Sequence, residues 1–240
     1  MSERELKIIA DARITLNDNG STPRWSTERL IELLSDAQEL MCKGIPLITL
    51  RATINTYSGV SEYTLPLGSV KLLRASSEGS ALNITSYDEI ERENIDWEDE
   101  VSSAYSSIVV NTLSQKVIRP YPKLADGVNK PIKVVYQSVP NRLGWDDTLG
   151  DTEYELVISD MWDIGLKQYV IGMAFVDYGD ESSLMRSQVA MGLYNSEYSR
   201  ALKLAKSSFS KRSRTTGYQA PVASNYRGDR NGSCNTRFRY

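Results

Sequence analysis

The 240-residue chain contains no histidine. That absence removes every Ser-His-Asp and Cys-His nucleophile arrangement, every imidazole metal ligand and every imidazole acid or base. Cysteine is nearly as scarce: Cys42 and Cys234 cannot build a disulfide framework or a cysteine-rich zinc site. No apolar run approaches the roughly 18 residues that would cross a bilayer, so no membrane span is expected. The opening residues MSERELK are charged at once and lack an apolar h-region, so no Sec signal peptide is expected either. Glycine-rich phosphate loops of the GxGxxG and Walker types are missing. These absences close the commonest enzyme chemistries and favour a binding or structural protein.

What is present has globular proportions, with 40% hydrophobic and 25% charged residues. The length allows one or two domains. Charge is unevenly placed. The segment 207–240 holds seven basic residues, Lys211, Arg212, Arg214, Arg227, Arg230, Arg237 and Arg239, against the single acid Asp229, a net +6. The rest of the chain therefore carries −9 within an overall −3. The basic segment is rich in Ser, Gly, Asn and Arg and shows no period of 2 or 3.6. Alone it cannot bury enough apolar surface to offset its ordering entropy. Its aromatics Tyr218, Tyr226, Phe238 and Tyr240 are spaced like anchors, and Arg with aromatics carries interface energy. The expectation is an arm that orders against a partner; the alternative is a frayed, solubilising end.

Along the chain, Ser2 to Glu5 has capping-box spacing, followed by Leu6, Ile9, Ala10 and Ile14 at helical intervals. Ser26 caps a second helix over about 27–43, with a stripe of Leu30, Leu33, Leu34, Ala37 and Met41, and Gly44 and Pro46 stop it. From residue 47 to 140 the pattern changes to short Val, Ile, Thr and Tyr runs between turn residues. Strands are predicted at 48–54, 62–65, 70–75, 81–84, 107–111, 116–119 and 132–137, which suggests a small antiparallel sandwich or barrel. Residues 87–100 read as a helical turn and an acidic loop. Thr152 to Glu155 looks like a second capping box. It predicts a long helix through Val157, Met161, Ile164, Leu166, Val170, Met173 and Phe175. Tyr178-Gly179-Asp180 ends that helix. A last helix runs to about residue 208 on Leu184, Met191, Tyr194, Tyr198, Ala201 and Ala205.

The fold expected is α+β. An antiparallel helical bundle (1–46 plus 151–206) receives an inserted antiparallel β domain (47–150), and an extended basic arm (207–240) follows. The helices must pack on one another, because none can bury its stripe alone.

The acidic run at 88–100 is the strongest local signal. It holds Asp88, Glu89, Glu91, Glu93, Asp96, Glu98, Asp99 and Glu100. It has no glycine at a sharp turn and does not match an EF-hand loop, so a solvated acidic face is favoured over a metal or catalytic site. Asp146, Asp147 and Asp151 read as caps for the helix thought to follow them. Trp25, Trp97, Trp145 and Trp162 read as core or interface anchors rather than a base-stacking platform. No cofactor and no catalytic residue are indicated.

The order of RWSTERLIELLSDAQEL (24–40), EYTLP (62–66), SYDEI (86–90), DW (96–97), RPYP (119–122) and VVYQSVP (134–140), closed by two helices, resembles the head-to-tail adaptor proteins of tailed bacteriophages, especially the short-tailed ones. The resemblance spans about 8–206; the basic aromatic tail matches no motif of the family. It implies a structural, non-enzymatic virion protein in the neck, assembled in the host cytoplasm. It also implies a ring, usually of twelve copies, beneath the portal. The helices would form the ring wall, the C-terminal arm would reach along the portal, and the β domain would face the tail nozzle or another tail protein. Double-stranded DNA would pass through the lumen without sequence-specific binding, which suits an acidic wall at 88–100. An arm of 34 residues could reach ~110 Å when extended. The competing readings are a nucleic-acid binding module using the basic tail, another neck or tail protein such as a stopper or tail terminator, and an enzyme built on the acidic run.

Overall fold

The computed structural model describes residues 3–111, 114–143, 145–146, 151–152 and 155–215. It describes side chains at all of these except 145–146, 151–152 and 208–215. The chain divides into two compact units, Met1–Ala205 and Lys206–Tyr240.

Helix α1 (Glu3–Leu16) and helix α2 (Thr27–Gly44) open the first unit. Ser26 caps α2 by accepting from the Arg29 N–H at 3.1 Å. The β block follows, with β1 (Thr49–Asn55), β2 (Tyr63–Thr64), β3 (Ser69–Ser77), β4 (Ser80–Ser86), helix α3 (Tyr87–Glu93), a 3-10 turn (Trp97–Asp99), β5 (Val101–Ser102), β6 (Ser107–Val110), β7 (Val117–Tyr121), β8 (Lys123–Leu124) and β9 (Pro131–Ser138). The pair β10 (Trp145–Asp146) and β11 (Asp151–Thr152) leads to a second 3-10 turn (Asp160–Trp162), helix α4 (Asp163–Tyr178) and helix α5 (Glu181–Thr215).

The seven strands read from the sequence assemble into one sheet of order β1-β9-β3-β4-β6-β7-β2. Its two edge strands, β1 and β2, are consecutive in the chain. Tyr63 on β2 accepts from the Tyr57 N–H at 2.8 Å and donates back to the Tyr57 carbonyl at 3.1 Å, just past the end of β1. The sheet is therefore curled almost closed around Leu65, Leu72, Ile108, Ile118, Ile132 and Val134. The β3–β4 hairpin turns on Glu78 and Gly79, both at positive φ (50° and 84°), as a tight two-residue turn with the twist of the strands requires. Pro120 is tolerated in β7 because β2 pairs only with Val117 and Ile118, leaving the rest of that side an edge.

The sheet is not wholly antiparallel as expected: β4 runs parallel to β6, and the separate two-stranded pair of β5 and β8 is parallel as well. The reason is the acidic insertion. Helix α3 and the turn after it carry the chain back to the start of the sheet between β4 and β6, a crossover that a hairpin cannot make.

Helices α1, α2, α4 and α5 share a second core that includes Ile9, Ala12, Leu30, Leu34, Met41, Leu166, Val170, Ala174 and Tyr194. Helix α4 lies at its middle. Asp163 and Lys167 tie it to α1 through Arg4 (2.5 Å) and Asp11 (3.7 Å). Gly165 and Gly172 lie on the opposite side, at 3.6 residues per turn, and admit α5. A Cβ on Gly172 would stand 2.9 Å from Met191, and one on Gly165 would stand 3.1 Å from Glu197. Small residues of α5, Ser183, Ser187, Ala190 and Ala201, complete this close approach; Leu184, expected in the stripe, is exposed.

Two expected boundaries move. The helix predicted from Thr152 begins only at Asp163. The N–H groups of Leu156, Val157 and Ile158 are taken by side chains of α1 and α2, which holds that segment extended. Ser159 then caps the turn that starts the helix. Val157, Met161 and Ile164 are accordingly exposed rather than core. Asp146 and Asp151 sit on β10 and β11, so neither caps a helix there; Asp147 lies outside the described residues. At the other end α5 continues to Thr215, so the first residues of the expected extended arm are helical. After Gly192 no glycine or proline occurs before Gly217, and basic residues suit a helix C-terminus.

Candidate functional site

The acidic segment is built on a helix cap and two inward-facing anchors. Ser86 caps α3, accepting from the Glu89 N–H at 3.3 Å. One turn later Ile90 points inward, and Trp97 follows from the 3-10 turn; both join Val109 of β6 in a small separate core. Trp97 is flanked by Tyr87 (5.9 Å between ring centroids) and, edge-on, by Tyr121 (6.1 Å). With those side chains buried, the intervening carboxylates have nowhere to go but out. Asp88, Glu89, Glu91, Glu93, Asp96, Glu98, Asp99 and Glu100 are all exposed.

Three of the eight are bound locally. Thr85 donates to Glu89 at 2.9 Å. Arg119 of β7 pairs with both Glu98 and Glu62, with its guanidinium 5.2 Å from the Tyr87 ring centre. Glu100 accepts from the Tyr121 hydroxyl and from the Asn94 amide. Partial burial pulls the Arg119 pKa down, but its bond to Glu62 and the charges of Glu62 and Glu98 more than offset this and leave it raised. Donation to Glu100, with a smaller part from desolvation, raises the Tyr121 phenol. Asp88, Glu91, Asp96, Glu98 and Asp99 rim an open cleft that also exposes Ile95 (84%) and Arg92. An array this solvated has no desolvated carboxylate to act as a general acid. Among the described residues no three carboxylates or cysteines come together as metal ligands, and no helix is long and apolar enough to cross a membrane.

Of the arm residues, Lys211, Arg212 and Arg214 fall on the last turns of α5. Tyr218, Tyr226, Arg227, Arg230, Arg237, Phe238, Arg239 and Tyr240 lie outside the described residues. Trp25, Trp97 and Trp162 are buried (7%, 5% and 4% exposed), as core anchors should be. Arg200 of α5 stands 5.1 Å over Trp162.

Sequence reasoning missed a set of buried polar residues that position the whole β block. Gln137 of β9 donates to the last carbonyls of α2, Cys42 (2.5 Å) and Lys43 (3.0 Å). Ser35 of α2 accepts from the Leu143 N–H at 2.9 Å where the chain leaves the block. Gln38 accepts from Val157 and Ile158, and Glu5 from Leu156, where it returns. Glu5 thus serves the returning chain; Ser2, the other half of the expected capping box, lies outside the described residues.

Cys42 belongs to this region and is fully buried; burial pushes its thiol pKa up to about 12. A thiol so held is not a nucleophile. In the folded protein at pH 8 it should resist iodoacetamide and react only on denaturation, as intact and peptide mass spectrometry would show. Rapid native labelling at Cys42 would mean that the helical core opens.

The model of a family described as SU10 adaptor protein matches residues 6–224. The match runs past α5 and so takes in part of the basic segment that fits no motif by inspection. No curated protein matches the chain.

Proposed function

The chain belongs to the SU10 adaptor protein family, phage head-to-tail adaptors of the virion neck, and from that premise we propose how its parts are used. Copies form a ring, twelve in the short-tailed-phage arrangement, that joins the portal to the tail and surrounds the DNA path. The helices build the ring wall, the β block meets the next tail component, and the basic C-terminal arm docks on the portal. The carboxylates of α3 and the turn after it face the channel.

The observation that carries this reading is the family match across most of the chain. Physical chemistry supports its details. All eight carboxylates project into solvent from a rigid aromatic footing, and neutralising DNA phosphate requires cations, so an acidic wall lets DNA slide. The arm carries the opposite charge, and many copies of it around a ring would act together through effective concentration.

The test is native mass spectrometry of the chain with the portal protein encoded in the same genome, full length beside a version ending at Thr215. That end preserves all of α5. A portal complex that needs 216–240 supports the arm as the portal clamp. Portal binding that survives the truncation removes that role. A full-length chain that ignores the portal but binds DNA in a salt-dependent way, lost with the arm, would replace the adaptor reading with nucleic-acid binding.

A further inference from the structure

The outer faces of α1 and α5 each carry an exposed apolar stripe. On α1 it is Leu6 (45% exposed), Ala10 and Ile14 (64%). On α5 it is Met185 (67%), Val189 (68%) and Leu193 (51%). Both run at i, i+4, i+8, one above the other along a helix. Both turn away from the faces that the helices bury, which are Glu5, Ile8, Ile9, Ala12 and Leu16 on α1 and Ser183, Ser187, Ala190 and Tyr194 on α5. Since α1 and α5 grip opposite sides of α4, the stripes lie on opposite flanks of the helical core.

We propose, resting on the ring reading above, that the α5 stripe of one copy packs against the α1 stripe of the next. The occupant of each stripe is thus a second copy of this chain. Two unlike faces on opposite flanks make a head-to-tail contact, and such a contact repeats until it closes. An isologous α5–α5 pair would stop at a dimer and leave both α1 stripes in water. Area decides how assembly proceeds. Apolar patches of this kind reach about 300–600 Å², whereas a stable pair needs about 800 Å² from each partner. One stripe-on-stripe contact therefore does not hold a dimer. A closed ring uses both stripes of every copy and leaves no open end, so the chain passes from monomer to ring without a populated dimer.

The experiment is disulfide trapping in a Cys234→Ser background, with Ala10→Cys, Val189→Cys and the double variant, each mixed with the portal protein of the same genome and oxidised. Cys42 is buried and does not interfere. The double variant should give a ladder that ends in a closed ring, while each single variant stays uncrosslinked. Mixing the two single variants should give dimers only. Self-crosslinking of either single variant, or a ring from the double variant without crosslinks, overturns the interface. Val189→Glu should abolish the ring at least tenfold in yield, with unchanged circular dichroism and melting, because the side chain is exposed. Rings that persist in Val189→Glu sink this interface and leave the ring itself standing. Wild-type chain that forms no ring, alone or with portal, sinks the ring reading and this inference with it.

Discussion

Leu34→Ala should cost the chain ~3 kcal/mol and lower its melting temperature by about 10 °C for a protein of this size. Leu34 is completely buried among the helices, so the lost methyl groups leave a cavity rather than a relaxed surface. Ile118→Ala, at an equally buried position inside the sheet, should cost a similar ~3 kcal/mol. The larger expectation is that both variants shift one and the same transition. The helices and the sheet have separate cores, but Gln137 satisfies the end of α2 and Ser35 holds the chain that leaves β9. Unfolding either core strands buried polar groups in the other. The check is thermal unfolding followed by ellipticity at 222 nm and by tryptophan fluorescence. If Leu34→Ala moves a helical transition and leaves a separate sheet transition in place, the β block is an autonomous domain and the ties are incidental.

How much of this was legible beforehand varied with the range of the interaction responsible. The seven strands of the main sheet were readable because each is a short β-branched run between turn residues, a local signal. Helix α2 was readable from Ser26, its leucine stripe and Gly44. The parallel pairings were not, since nothing local in β4 or β6 records that an inserted helix, and not a hairpin, connects them. The start of α4 was misplaced for a similar reason. Thr152 to Glu155 has the right spacing for a cap, but the competing partners for the following N–H groups are Glu5 and Gln38, more than a hundred residues away. A signal did exist in the stripes themselves. Gln38 stands four residues after Leu34 and three before Met41, on the apolar face of α2, and Glu5 stands four before Ile9 on that of α1. A polar side chain on a buried stripe needs a partner, and here the partner is a backbone. For the acidic segment, exposure of the carboxylates could be anticipated from their density. The role of Trp97 as its footing could not, because Val109 and Tyr121 come from strands that only the fold brings beneath it.

Gln38→Leu should cost about 2–3 kcal/mol, although it replaces a polar residue in a core with an apolar one of similar size. The side-chain oxygen of Gln38 accepts from the N–H groups of Val157 (2.8 Å) and Ile158 (3.3 Å), and a leucine leaves both donors without an acceptor. A buried donor that loses its partner costs about 1–3 kcal/mol, more than the gain from burying extra methyl groups at ~0.8 kcal/mol each. The loss should be localised. Amide exchange at Val157 and Ile158 should accelerate well beyond that of Leu156, whose N–H still meets Glu5 at 2.6 Å. Gln38→Glu separates the two ingredients of the site, because it keeps the acceptor and adds a charge. A second carboxylate against the returning segment, which already meets the buried Glu5, is expected to destabilise at neutral pH. Protonation removes that charge, so the cost relative to the wild type should shrink as the pH falls. If Gln38→Leu instead stabilises the chain and exchange at 157 and 158 is unchanged, the returning segment is held by its packing alone and Gln38 is a passenger in the core.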